Sequence, residues 1–461
     1  MMADTVTSRP STKDGKTPPT DCATVVVLGL GVTGLSCARY LSDHGARVLV
    51  ADSRQDPPGL EGLRSAAPEA LVETGTLDVR LPDQAELLVV SPGLPLDLPV
   101  IRQARQRGIE VVGDIELFAR AVRCPVAAIT GSNGKSTVTT MVAEMAARSG
   151  RQMPAGANLG TPALDLLEMP AEGYLLELSS FQLELTETLR PRVAAVLNLS
   201  ADHIDRHGSM EAYAAAKARI LRHAESAVIN RDDPLVMEMA SDCATVASFG
   251  SDAPARETDY GIRETGGRGW LARGRERLMP ANEIGVPGRH NALNALAALA
   301  IAEKMGLGGD AVLAALRSYR GLPHRTQVVA ERRGVRWIDD SKATNVGAAV
   351  AAIRGMEMPL VLIAGGDGKG AGFAPLVDAL QGRARAVVLL GRDAPRLAEA
   401  IGDTVPWNIV DSMSAAVETA RRLARPGDAV LLSPACASLD MFSSFAARGM
   451  AFQRAVLEGE E

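Results

Sequence analysis

The chain is 461 residues long, 46% apolar and 23% charged, with a net charge of −6 at neutral pH. These are the proportions of a soluble globular protein; the acidic balance and an aromatic content of 3% exclude a phosphate-backbone footprint and base-stacking platforms, so no nucleic-acid partner is expected. The length exceeds what one hydrophobic core sustains and, at ~150 residues per domain, points to about three domains.

Residues 1–22 are polar and rich in Pro and Thr, the composition of a disordered extension. From Ala23 the apolar run ATVVVL ends in Gly29-Leu30-Gly31-Val32-Thr33-Gly34, followed by the amphipathic stretch VTGLSCARYLSDHG and the strand RVLVADS. This strand–turn–helix–strand unit continues through LLVVSPG and IEVVGD to about Gly113. Its G-x-G-x-x-G turn, with Asp52 closing the second strand, is a dinucleotide-binding pattern, in which glycines let a diphosphate approach the backbone at a helix N-terminus. The same turn serves other nucleotides or simple packing, so NAD and its alternatives both stay open on this motif.

A second unit opens with PVAAIT and runs through Gly131-Ser132-Asn133-Gly134-Lys135-Ser136-Thr137 into the helical TVTTMVAEMAARSG. Gly134-Lys135-Ser136 is the end of a Walker A loop: amides cradle phosphates, Lys135 reaches the β/γ oxygens and Ser136 ligates magnesium. Standard spacing would place a glycine at Ile129, whereas the chain offers Gly131. The preceding strand and following helix favour ATP over an incidental turn. Later strands are YLLELSS, VAAVLNLS and SAVINRDD. Glu177 ends the first and His203 follows the second, at the strand ends where open parallel sheets bind ligands. Glu177 suits magnesium beside phosphates, whereas His203 reads equally well as a hydrogen-bonded structural histidine. Between roughly Asp259 and Gly288 charged, Gly-rich alternation suggests hairpins, ahead of the helix HNALNALAALAIAEKMG.

Gly321-Leu322-Pro323 reads as a boundary. Beyond it RWIDDS, LVLIAGGDG, AVVLLGRD and AVLLSPA alternate with helical segments, another parallel series. The expected fold class is α/β in three domains: a Rossmann-like domain over 23–113, a central P-loop mononucleotide-binding fold over 114–321, and a second Rossmann-like domain over 322–461. Five cysteines, Cys22, Cys37, Cys124, Cys243 and Cys436, form no C-x-x-C pair, which fits a reducing cytoplasm. No apolar run approaches the ~18 residues of a bilayer span and no signal sequence opens the chain, so no membrane insertion is expected.

The runs AITGSNGKSTVTTMV, LELSSFQLE, PGRHNALNALAA, LPHRTQVV, DDSKATN, GGDGKG and LLSPACASLDMF, in that order, resemble the Mur ligases, and among them the D-glutamate-adding members, from about Thr24 to the C-terminus. The polar extension departs from the family, and the T-G-x-x-G-K-S-T loop, unlike Walker A, is similar to the family's own version. The resemblance implies an ATP-dependent ligase of peptidoglycan precursor synthesis, joining the carboxylate of UDP-N-acetylmuramoyl-L-alanine to the amine of D-glutamate through an acyl phosphate. It implies a UDP-sugar at the first glycine turn, with Gly31, Val32, Thr33, Asp52, Ser53, Arg54, Ser91, Gly93, Asn158 and His203 bordering the UDP substrate. Gly131, Ser132, Asn133, Gly134, Lys135, Ser136, Thr137, Asn291, Asn294, Arg325 and Asp340 would hold ATP.

Lys342, Thr344, Lys369, Ser438, Leu439 and Phe445 would frame D-glutamate, although Leu439 and Phe445 read equally as core packing of the last helix. Lys135, Glu177, His203 and Lys217 would be the catalytic set. Two magnesium ions are implied, one served by Ser136 and Glu177, the other by His203 and Lys217, with Lys217 carbamylated. Taken without the resemblance, Lys217 in AYAAAKARI reads as a solvated helix lysine. A monomer is expected, with a hinge near Gly321 to Pro323 assembling the site. The competing readings are another Mur-type or folylpolyglutamate-type ligase and, in a different class, an NAD-dependent oxidoreductase.

Overall fold

The computed structural model describes residues 23–241, 243–356 and 358–458; the extension expected over residues 1–22 lies outside the described residues. The first sheet contains β1 (Thr24–Leu28), β2 (Arg47–Asp52), β3 (Leu71–Thr74), β4 (Ala85–Val90) and β5 (Glu110–Val112), in the order β3-β2-β1-β4-β5. All pairings are parallel. Every residue of β1 is buried, as expected of a near-continuous Val/Leu run covered on both faces. The strand order reverses at β1, so its carboxyl end is the switch point where such sheets take ligands.

The strand β6 (Val126–Thr130) runs into the second glycine loop and the helix Lys135–Arg148. Next in the chain, β7 (Ala155–Ala157) lies parallel to β8 (Tyr174–Glu177). They are followed by β9 (Val193–Val196), β10 (Ala227–Asn230), β11 (Val246–Phe249), β12 (Tyr260–Thr265), β13 (Arg268–Arg273) and β14 (Glu276–Pro280). The parallel series β6, β9, β10, β11 is extended by β12, β13 and β14, which form the antiparallel hairpins anticipated between Asp259 and Gly288.

The last sheet has β15 (Gln327–Arg332), β16 (Val335–Asp339), β17 (Leu360–Ala364), β18 (Ala384–Leu389), β19 (Trp407–Ile409) and β20 (Ala429–Leu432), in the order β15-β16-β20-β17-β18-β19. It is parallel except for β15. DDSKATN, GGDGKG and SPACASLD therefore emerge from neighbouring strands, β16, β17 and β20, at one carboxyl edge.

By its contacts the chain forms two compact units: residues up to Val126 with Pro154–Pro191, and Ala127–Met153 with Arg192 onward. The segment 154–191, placed in the central domain from sequence, is built into the first unit by polar ties. Arg39 donates to Asp165 at 2.9 Å and Gln182 donates to Asp114 at 2.9 Å. Among the described residues no helix is long and apolar enough to cross a membrane.

Candidate active site

The first unit holds a cavity of about 510 Å³ at the carboxyl end of β1. Gly31, Val32, Thr33, Asp52, Ser53, Arg54, Ser91, Gly93 and Asn158 all line it, so nine of the ten residues anticipated around a UDP ligand converge there. Gly31 and Gly34 of the turn differ in purpose. A Cβ on Gly34 would lie 1.8 Å from the Gly29 carbonyl oxygen, whereas one on Gly31 would meet nothing within 4 Å. Gly34 is required by helix-to-strand packing, and Gly31 leaves open the space that a ligand would use.

Asp52 is saturated by its own chain. Its carboxylate accepts from Leu30 N at 2.6 Å, Arg54 N at 2.9 Å, Arg54 Nε at 2.8 Å and Arg54 Nη2 at 2.6 Å. The guanidinium bonds above all hold its pKa down at about 2. Asp52 thus fixes the glycine turn and orients Arg54, whose half-exposed side chain faces the cavity.

Glu177 ends β8 and is buried. Its Oε1 accepts from Asn158 Nδ2 at 2.7 Å, while Oε2 is shielded from solvent with no hydrogen-bond partner. The adjacent loop is held by a capping box between Ser179 and Gln182. Gln182 also lines the cavity and leans on Asp114, whose burial raises its pKa to about 6.

In the second unit Gly131 and Gly134 both take positive φ, 151° and 82°, which explains why glycine stands at these two positions. Lys135 is bent back on its own loop, donating to Gly131 O at 2.8 Å and Ser132 O at 2.9 Å. Ser136 Oγ accepts from Arg325 Nη2 at 2.8 Å, and Ser132 Oγ meets Tyr213 OH at 3.0 Å. Lys217 is buried, not solvated: Nζ donates to Gly131 O at 3.0 Å and Thr130 Oγ1 at 3.2 Å. His203 has a left-handed backbone, φ 55°, with Nε2 3.7 Å from Asp202 Oδ1. Burial depresses its pKa to about 4 against the opposing pull of Asp202, leaving a neutral imidazole at pH 7. Among the described residues no three of His, Cys, Asp and Glu form a ready-made metal cluster.

A cavity of about 340 Å³ is lined by Asn133, Gly134, Thr137, Asn291, Asn294, Arg325, Asp340 and Lys342, residues anticipated for ATP together with one anticipated for the amino acid. Phe249, Val286 and Tyr319 are also part of its wall. Asp340 accepts from Ser433 Oγ at 2.8 Å and Thr326 N at 3.1 Å, and its burial raises its pKa to about 7. Beside this cavity Lys342 Nζ sits 4.0 Å from the centroid of the Phe445 ring. Lys369 forms an ion pair with Asp202. Ser438 is buried, and Leu439 is 75% exposed, which removes core packing as the explanation of Leu439.

Three family models match in chain order: the Mur ligase MurD-like N-terminal domain over residues 23–113, the Mur ligase middle domain over 129–302, and the Mur ligase glutamate ligase domain over 324–436. The chain is 54% identical over 95% of its length to a Nitrosococcus oceani protein named UDP-N-acetylmuramoylalanine--D-glutamate ligase, covering 98% of that protein. It belongs to the Mur ligase family. A Pseudomonas putida protein of the same name is 52% identical over 93% of this chain and 96% of its own. The solved UDP-N-acetylmuramate-alanine ligase of Thermotoga maritima shares the fold at a TM-score of 0.61, with 18% identity over 95% of this chain and all of that one. Three Mur ligase domains with parallel α/β sheets agree with the fold class expected from sequence, and the oxidoreductase reading of the glycine turn falls away.

Sequence reasoning missed several residues of this Mur ligase. Arg448, buried in the last helix, donates to Ser341 O at 2.8 Å, Ser341 Oγ at 3.0 Å and Cys436 O at 3.1 Å, with longer contacts to Gly365 O and Ala437 O. One guanidinium thereby pins all three loops of the carboxyl edge. Gln182 and Asn345 lie inside motifs read from the sequence, LSSFQ and DDSKATN, but nothing in their spacing signals their partners.

Proposed function

We propose that this protein is an ATP-dependent carboxylate–amine ligase that adds D-glutamate to UDP-N-acetylmuramoyl-L-alanine, the activity named for its curated relatives. The observation that carries this reading is the 340 Å³ cavity, to which the phosphate loop, the Asn291/Asn294 helix and the DDSKATN loop all contribute. Such a cavity suits a reaction in which a nucleotide phosphate and an amino acid are used together. The 510 Å³ cavity at the switch point takes the UDP moiety, with Gly31 to Thr33 facing the diphosphate and Arg54 near the base and ribose.

A carboxylate is a poor electrophile. Phosphoryl transfer from ATP converts it to an acyl phosphate, which the amine of D-glutamate attacks with loss of phosphate. Lys135 exchanges the carbonyl oxygens of Gly131 and Ser132 for β/γ-phosphate oxygens, and Arg325, now on Ser136, lies ready to meet the same charge. Asn291 and Asn294 face adenine, and buried Asp340 approaches the nucleotide from the opposite wall. Lys342 and Lys369 take the carboxylates of D-glutamate, framed by Thr344, Ser438, Leu439 and Phe445.

The donor set fits magnesium. A buried carboxylate oxygen without a hydrogen bond, as at Glu177 Oε2, is costly unless a cation meets it. Glu177 would be a ligand of one ion, neutral His203 and a carbamylated Lys217 would serve another, and Ser136 is the candidate ligand on the phosphate loop. Bound magnesium would neutralise phosphate charge during transfer. Carbamylation leaves one N–H on Lys217 Nζ, enough to keep a hydrogen bond to Gly131 O or Thr130 Oγ1, and supplies the anionic oxygens that an ammonium lacks. The enzyme acts in the cytoplasm as a monomer; the unbridged thiols of Cys37, Cys124 and Cys436 fit a reducing compartment. Phosphate release from ATP tests the whole proposal: it is expected only when UDP-N-acetylmuramoyl-L-alanine and D-glutamate are both present, and comparable release with L-glutamate would remove the stereochemical assignment.

A further inference from the structure

The side-chain amides of Asn133, in the phosphate loop, and Asn345, at the end of DDSKATN, exchange two hydrogen bonds. Asn133 Nδ2 donates to Asn345 Oδ1 at 3.3 Å, and Asn345 Nδ2 donates to Asn133 Oδ1 at 3.1 Å. Neighbours set the orientation of both amides. Asn345 Oδ1 also accepts from Ala348 N at 2.9 Å, capping the helix Val346–Arg354, and its Nδ2 donates to Asp202 Oδ2 at 3.0 Å. Asn133 Nδ2 donates further to Ser200 Oγ at 3.2 Å. Two loops 212 residues apart in sequence are thus joined side chain to side chain.

We propose that Asn133 and Asn345 are a positioning pair that couples occupancy of the phosphate loop to the affinity of the amino-acid loop. The proposal rests on the ligase reading above. Asn345 follows directly on the compact turn that presents Lys342 and Thr344, where Ala343 N donates to Asp340 O at 2.9 Å and Thr344 N to Lys342 O at 2.8 Å. A polyphosphate that orders the loop around Asn133 orders its amide, and through it the helix cap and the turn. The other oxygen of Asp202 takes Lys369, so the second amino-acid loop is anchored at the same point. Because binding free energies are reciprocal, a dicarboxylate amino acid held by that turn tightens the nucleotide in return.

The test is a double-mutant cycle in the full chain. Asn345→Ser keeps a competent helix cap but is too short to reach Asn133; Asn133→Ala removes the partner and leaves the cap. Each single variant is expected to raise KM for D-glutamate about tenfold, the middle of the usual coupling range. KM for UDP-N-acetylmuramoyl-L-alanine should stay unchanged, kcat should fall less than KM rises, and melting temperatures should match the parent. The double variant should be no worse than the poorer single. In calorimetry, a non-hydrolysable ATP analogue should tighten D-glutamate binding in the parent and not in either variant. Multiplicative losses in the double variant, an unchanged KM for D-glutamate, or a parallel rise in every KM with a lowered melting temperature would each overturn the coupling. Parent protein that releases no phosphate with D-glutamate would overturn the ligase reading itself, and with it the amino-acid half of the proposal.

Discussion

Lys217 Nζ donates to the backbone oxygen of Gly131 at 3.0 Å, tying a helix side chain to the first glycine of the phosphate loop. A solvated lysine would tolerate Lys217→Arg almost without effect. Here the side chain is buried, with its Nζ also 4.8 Å from the Tyr213 ring centroid, and the carbamate reading needs a neutral amine that an arginine cannot supply. Lys217→Arg is expected to lose nearly all ligase activity while circular dichroism stays that of the parent. Native mass spectrometry of gently handled parent protein should show one added carbon dioxide on Lys217. An arginine variant retaining most of its activity would exclude the carbamate.

Gly31 and Gly34 of the first turn separate folding from binding. Gly31→Val adds atoms only to the open cavity, so the variant should fold and bind ATP normally while losing UDP-substrate affinity by at least tenfold in calorimetry. Gly34→Ala drives a methyl group into the Gly29 carbonyl, and should lower stability by about 2 kcal/mol or more. Equal melting temperatures for the two variants would contradict this division.

Asp114 gives a pH signature. Burial raises its pKa from 3.8 to about 6 in the folded protein, so across that window the native state keeps a proton that the unfolded chain has released. Its contribution is fully present below pH 3.8 and is lost as pH rises through about 6, a change of at most about 3 kcal/mol. Asp114→Asn should flatten this part of the stability-against-pH curve, measured by urea unfolding, and an unaltered slope would show that another group carries it.

Arg448 meets five oxygens on the three loops at the carboxyl edge. Arg448→Met strands these acceptors in a buried place and is expected to cost about 3 kcal/mol. Because the loops carry Lys342, Lys369 and Ser438, KM for D-glutamate should rise more than KM for ATP. Thermal melts and steady-state kinetics on the same preparation check both.

Much of this protein was legible in its residues because the signals are local. Apolar runs ending in glycine mark strands that turn into helices, and Gly131 and Gly134 adopt the positive φ that their loop position implied. The hairpins after Asp259 and the parallel series after Pro323 likewise announce themselves by alternation and punctuation. Leu439 is ambiguous in sequence: an apolar residue near a terminal helix usually packs inward, and only the tertiary structure shows it exposed.

Other properties depend on which surfaces meet after the chain has closed. A lysine in AYAAAKARI looks solvated until its helix packs against the end of β6 and puts Nζ on Gly131. An arginine in the last helix looks like surface charge until three loop edges surround it. Asp52 looks like a ribose ligand until Leu30 and Arg54 are seen to occupy its oxygens. Sequence determines what each stretch of backbone can adopt, because dihedral preference and hydrophobic period act over a few residues. Burial, desolvation and hydrogen-bond partnership act between segments more than 100 residues apart, as with Asn133 and Asn345, and only tertiary structure decides which of them come together.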